Sequence, residues 1–324
     1  RNPGTVGQPF ASLARARDAV RGLQGRAAGS ITVLVRGGTY HLEAPLVLVP
    51  DDSGTPECPV TYAACPGEVP TLSAGKKLEV SWRPYRDGIM VCTLPAEWAG
   101  GPGFSQLFVN GVRQIRARYP NFDPQDAVHG GYLHPVAGLT SIPGSPAPAP
   151  RPGHPLSRGL IFDPATFTRK RWSRPDEAVI HIFPRACYGN LQWRIRRVDW
   201  DASILEFGAG GYQLTNTLLD TSSRFYIENV FEELDAPGEW YLDHDQNKLY
   251  YWPPAGVDLV SAEVVAPVLE QVVEFRGSQA RPVKHVTLSG MRIAHTTSTF
   301  LESYENLPSG DWCIHRGGAV WMEG

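Results

Sequence analysis

Apolar and polar positions alternate along this chain in short bursts, with one stretch of helical periodicity near the start. In PFASLARARDAVRGLQ (9–24), Phe10, Leu13, Ala16 or Arg17, Val20 and Leu23 or Gln24 recur at helical spacing, and Ser12 stands where an N-cap belongs. One amphipathic helix is predicted there. ITVLVR (31–36), LVLV (46–49), PVTYAA (59–64) and PTLS (70–73) are short, rich in β-branched residues and bounded by Gly, Pro or Asp, which predicts strands; GGTY (37–40) reads as a turn. No helices intervene, as a doubly wound sheet would need, and no two-residue hairpin turns join these strands. Short strands separated by corners fit a parallel β-helix, whose coils bury their apolar sides only by stacking on neighbours.

The pattern changes after Gly75. From Leu78 to about Pro254 lie all the tryptophans except Trp312 and Trp321, together with longer loops and the Pro-rich linker TSIPGSPAPAPRPGHP (140–155). Asn110-Gly111 between two apolar runs is a hairpin signal, and EAVIHIF, ILEF, EWYLD and KLYYWPP read as antiparallel strands. A β-sandwich-like insertion is predicted. VVEF (272–275), VTLSGMRIAHT (286–296) and AVWME (319–323) then resume the first pattern. The expected division is 1–76 for the cap and first coils, 77–265 for the insertion and 266–324 for resumed coils. AVWME reaches Gly324 without a turn or polar cap, and the chain opens at Arg1, so further coils are expected after it.

Composition narrows the function classes. Gly (33) and Pro (29) are too frequent in 324 residues for an all-helical protein, and a net charge of -3 with 19% charged residues gives no nucleic-acid footprint. No run approaches the ~18 apolar residues of a membrane span. Cys58, Cys65, Cys92, Cys187 and Cys313 show no zinc spacing; Cys58 and Cys65 could bridge, but buried free thiols are the first expectation.

NPGTVGQPFASLARARDAVR, VLVRGGTYHLEAPLVL and DDSGTPECPVTYAACPGEVPTLSAG together resemble the opening of right-handed parallel β-helix proteins of the pectin-lyase-like superfamily. QLFVNGVRQIRARYPN (106–121), PGEWYLDHDQNKLYYWPP (237–254) and SGDWCIHRGGAVWMEG (309–324) resemble bacterial-type glycoside hydrolases in which a β-sandwich interrupts the β-helix. The resemblance implies an all-β fold with an N-terminal capping helix and a carbohydrate-active, secreted or extracytoplasmic enzyme. It implies a carbohydrate partner, with no cofactor, metal, nucleic acid or membrane. It also implies a carboxylate pair on coils beyond residue 324, so the catalytic residues are unknown here. A polysaccharide lyase acting on a uronate polymer and a non-catalytic β-helical binding scaffold are the alternatives, because this superfamily hosts several chemistries.

The candidate substrate-binding residues are Asp311, Trp312, His315 and Arg316, gathered in one turn-rich loop. A sugar needs bidentate donors and acceptors for its hydroxyls and an aromatic ring for its CH face, and this set offers both. The bland alternative is an Arg316–Asp311 pair that fixes the corner. Arg116 and Arg118, at alternate positions, would share one strand face and suit a uronate; pairing with acids is the commoner fate. Glu228, Glu232, Glu233 and Glu239 read first as turn or surface carboxylates, His295 as a satisfied hydrogen-bonding residue, GAGG (208–211) as lacking a phosphate-loop context, and DHDQNK (243–248) as a hairpin turn.

Overall fold

The computed structural model describes residues 2–23, 29–101, 103–143, 145, 157–168, 172–185, 187, 189–213, 218–299, 301–302, 304–306 and 313–324. The chain divides into two compact units. One comprises 1–78, 264–298 and 317–324, and the other comprises 79–263 and 299–316.

The first unit is a parallel solenoid of three stacked coils. Strands Ile31–Val35, Val60–Ala64 and Val286–Ser289 form one sheet; Gly38–His41, Pro70–Ser73 and Arg292–Ala294 form a second. Leu46–Leu48, Val273–Arg276 and Val320–Glu323 form the third. Every pairing is parallel and in register, so that Tyr62 stands between Val33 and Leu288, and Leu72 between Tyr40 and Ile293. The GGTY segment, read as a turn, instead supplies the Gly38–His41 strand. Gly38, at φ +133°, makes the corner that lets a strand follow at once.

This register locates the insertion. The second coil runs from Val60–Ala64 through Pro70–Ser73 and recovers its third strand only at Val273–Arg276. The excursion leaves and returns through the antiparallel pair Gly75–Lys77 and Val264–Pro267, with Lys77 opposite Val265 and Gly75 opposite Pro267. In the third coil, residues 295–319 leave from the equivalent corner. In the first coil four residues (42–45) turn it.

The one α-helix among the described residues, Leu13–Leu23, closes the first coil. Ser12 Oγ accepts from Arg15 N at 3.2 Å, the predicted cap. Leu13, Ala16 and Val20 are buried, and Leu13 and Val20 join Leu46, Leu48, Val60, Tyr62 and Leu72 in the solenoid core. Arg17 Nη1 donates to Val47 O at 2.8 Å, and Arg21 grips the buried Asp52 with two bonds of 2.6 and 2.7 Å. Asp52 in turn accepts from Val49 N. These contacts occupy backbone that an edge strand would otherwise leave open.

The second unit is antiparallel. A seven-stranded sheet runs in the order Arg118–Tyr119, Arg224–Glu228, Val179–Phe183, Leu191–Asp199, Ile204–Gly210, Gly159–Phe162, Pro135–Leu139. A five-stranded sheet is built on Glu239–Asp243, Lys248–Tyr251, Ile89–Thr93 and Arg83–Arg86, with Ile115–Arg116 added in parallel. Asn110 and Gly111 have φ +50° and +76°, the left-handed pair a two-residue hairpin needs, between Phe108–Val109 and Val112–Arg113. The DHDQNK turn joins two strands of the five-stranded sheet as expected. All five cysteines are free: Cys92 is buried, Cys187 is exposed and the others are half-buried. No described helix is long and apolar enough to cross a membrane.

Candidate functional site

The loop that the sequence singles out lies on the second excursion, at 299–316. Glu305–Asn306 pairs antiparallel with Cys313–Ile314, so Glu305 faces Ile314 and Asn306 faces Cys313. Cys313 N donates to Gln213 O at 3.1 Å, fixing the returning arm to the inserted unit. Asp311 and Trp312 lie outside the described residues. His315 and Arg316 follow the returning arm, and each meets a carboxylate from the outgoing one.

His315 Nε2 is hydrogen-bonded to Glu302 Oε2, and the His315 ring sits 5.0 Å from that of Tyr304. Tyr304 Oη and Thr299 Oγ1 share a hydrogen bond of 2.9 Å. Arg316 Nε donates to Glu305 Oε2 at 2.5 Å, and this bond holds the Glu305 carboxyl below its ordinary range. Arg316 therefore pairs with Glu305. Both groups are at the surface and reachable by a ligand. The hairpin brings together two carboxylates, an imidazole, a guanidinium and a phenol, a mixture of donors and acceptors that suits a polyhydroxylated ligand. Glu302 positions the imidazole, leaving His315 to act through its other ring nitrogen.

Sequence reasoning named His315 and Arg316 but missed Glu302, Tyr304 and Glu305. The available signal was the Leu-Pro-Ser-Gly turn sequence (307–310) between ESYEN and DWCIHR, which predicts that the two arms fold back on each other.

The other candidates are structural. Arg116 and Arg118 do not share a strand: the chain breaks at Ala117, sending Arg116 to the five-stranded sheet and Arg118 to the seven-stranded one. Arg116 lies 3.7 Å from Glu228 and over Trp240, whereas Arg118 donates to Pro120 O and Gly131 O. Burial pushes the Glu228 carboxyl up, but His181 at 3.2 Å and Arg116 outweigh it and bring it down to about 2. Burial pushes Glu239 up to about 8, against amide donors from Asp235, Ala236 and Arg118. Glu233 accepts from Trp172 Nε1 at 2.7 Å, and Glu232 from Ser173 N at 3.0 Å. His295 Nδ1 shares a hydrogen bond of 2.9 Å with the fully buried Ser73 Oγ.

A family model described as "GH141 insertion domain" matches residues 215–254. A solved structure described as "Glycoside hydrolase" aligns with a TM-score of 0.72 and 25% identity, covering 92% of this chain and 49% of its own. The chain thus spans about half the length of that relative. A second, described as "The complex structure of XylC with xylose", aligns at a TM-score of 0.35 and 14% identity over 91% of this chain and 34% of its own, a level that carries no argument. No curated protein matches the chain significantly. The chain is a glycoside-hydrolase-like, largely parallel-stranded solenoid with an inserted domain, related to the GH141 family.

Proposed function

We propose that this chain forms part of a secreted or extracytoplasmic glycoside hydrolase acting on plant-type or other complex polysaccharides or oligosaccharides. The observation that carries this reading is the alignment of 92% of the chain with a glycoside hydrolase at a TM-score of 0.72. The solenoid supplies a rigid frame, and the 299–316 hairpin is the substrate-binding element. Arg316 and His315 meet sugar hydroxyls or a carboxylate, with Asp311 and Trp312 from the same loop adding an acceptor and a stacking ring. Glu302 and Glu305 hold those two side chains in place. No catalytic acid is assigned within residues 1–324.

The test compares the longest available form of the protein with its Arg316→Ala and His315→Ala variants on a panel of plant-wall oligosaccharides. A rise in KM with little change in kcat or in Tm is expected, because both side chains bind substrate from a surface hairpin. Unchanged kinetics with a large fall in Tm would make the hairpin a structural corner. A product carrying the ultraviolet absorbance of an unsaturated sugar would replace hydrolysis with β-elimination.

A further inference from the structure

The seven-stranded sheet has two unlike faces. Phe225 and Ile227 of one strand and Ile180 and Ile182 of its neighbour point into the aromatic core. The alternate residues, Arg224, Tyr226 and Glu228 with His181 and Phe183, point the other way, since side chains alternate along a strand. Register places Phe183 opposite Arg224 and His181 opposite Tyr226. Leu133 bridges to Phe225, which brings Tyr132 onto the same outer face.

There the rings and guanidiniums interleave. Arg224 lies 4.9 Å from the Tyr132 ring centre and 5.2 Å from that of Phe183. Arg118 lies 3.8 Å from Tyr226, whose ring stacks on His181 at 4.5 Å and 7°. Neither arginine is held by an acid. Arg118 donates to two main-chain carbonyls and Arg224 to Val128 O, and among the described residues neither forms an ion pair. Arg224 Nε is buried without a hydrogen-bond partner. Glu228, the carboxylate on the same strand as Arg224, is already taken by His181 and Arg116.

Main-chain carbonyls satisfy donors without cancelling charge, so the face keeps the positive charge of half-buried Arg224 among half-buried aromatic rings, with a second charge on the buried Arg118. A chain of sugars bearing carboxylates is complementary to that arrangement: its CH faces stack on the rings and its carboxylate engages a planar guanidinium in a bidentate pair. We propose that the outer face of the seven-stranded sheet, centred on Arg224, Tyr132 and Phe183, is an accessory binding site for a uronate-containing glycan. The site uses none of the residues of the 299–316 hairpin. The inference rests on the carbohydrate reading above.

The experiment measures binding of oligogalacturonate, a neutral xylo-oligosaccharide of equal length and a sulfated oligosaccharide to the 324-residue chain by calorimetry at low and moderate salt. Oligogalacturonate should bind, with affinity falling as salt rises, and Arg224→Gln should weaken it about tenfold or more, as loss of a charge-assisted pair requires. Arg224→Lys, which keeps the charge and loses the planar fork, should recover only part of that affinity with an unchanged Tm. In Arg316→Ala the part of that affinity lost on Arg224→Gln should persist. Equal affinity for the sulfated chain would reduce the face to a general polyanion site and overturn the proposal. So would uronate binding that survives Arg224→Gln. Neutral-chain binding lost in Arg316→Ala, without any uronate binding, would overturn this proposal alone. No binding of any glycan would remove the carbohydrate reading as well.

Discussion

In the solenoid a strand finds its partner one coil away, and the three sheets enclose an interior filled by Leu46, Leu48, Val60, Leu72 and Val273, with Tyr62 as its one fully buried ring. In the inserted unit most strands pair with antiparallel neighbours. One side of the broad seven-stranded sheet buries Phe162, Phe167, Trp172, Trp193, Phe207 and Phe225 together. Charge follows the same divide. The buried acids of the solenoid, Asp52 and Glu274, are held by arginines that are themselves partly exposed; the insertion holds Glu206 in the same way but also buries Arg116 and Glu239. A narrow stacked interior takes aliphatic side chains in rows, and a wide sheet face has room for rings and for the polar groups trapped beside them. The inserted unit therefore carries the larger single-residue energies and the stronger dependence on pH.

The largest effect should come from Trp240, fully buried and stacked 5.5 Å from Phe104. Trp240→Ala is expected to cost about 3–5 kcal/mol in urea unfolding. Leu48→Ala, in the solenoid core at 0% exposure, should cost roughly 2–5 kcal/mol. A cost for Leu48 well above that for Trp240 would reverse the comparison.

The pH dependence comes next. Glu239, raised to about 8 by burial, stays protonated in the folded chain while the unfolded carboxyl ionises near 4.5, so its contribution is present below pH 4.5 and is lost as pH climbs to about 8. Glu228, lowered to about 2, acts in the opposite sense: its contribution is present above pH 4.5 and is lost as pH falls toward 2. Urea titrations across pH 5–8 should show stability declining with a slope no steeper than ~1.4 kcal/mol per unit, and Glu239→Gln should flatten it. A slope unchanged by Glu239→Gln would mean that its amide donors keep the carboxylate ionised. The smallest effect belongs to the helix cap. Ser12→Ala should cost about 1 kcal/mol, read as a small fall in Tm.

The sequence exposes what is local. The 13–23 helix shows through its apolar spacing and Ser12, the early strands through their β-branched runs, and the 108–113 hairpin through Asn110-Gly111. The coil register is not legible, because Val273–Arg276 completes a coil whose other strands end at Ser73, and no local pattern links them. Arg116 and Arg118 mislead because alternation assumes one continuous strand, and the break at Ala117 is decided by two sheets competing for the segment. At the candidate site His315 and Arg316 stand out as chemistry in a loop. Their partners Glu302 and Glu305 become visible only once the arms pair.

The antiparallel stalk formed by 75–77 and 264–267 also bears on how the chain acquires its structure during synthesis. Strand Pro70–Ser73 emerges from the ribosome roughly 200 residues before Val273–Arg276, which at ~5–20 residues per second leaves the second coil open for about 10–40 s. Throughout that interval the apolar side chains of Val60, Tyr62 and Leu72 lack the wall that Val273 later supplies. Closing so long a loop is slow if the intervening chain is unstructured, and much faster if that chain has already folded with its ends held side by side. The stalk does this, joining Gly75 to Pro267 within a few residues of both coil strands. Prior folding of the inserted unit thus speeds closure of the solenoid, and a lesion in the insertion is expected to promote aggregation of the nascent solenoid.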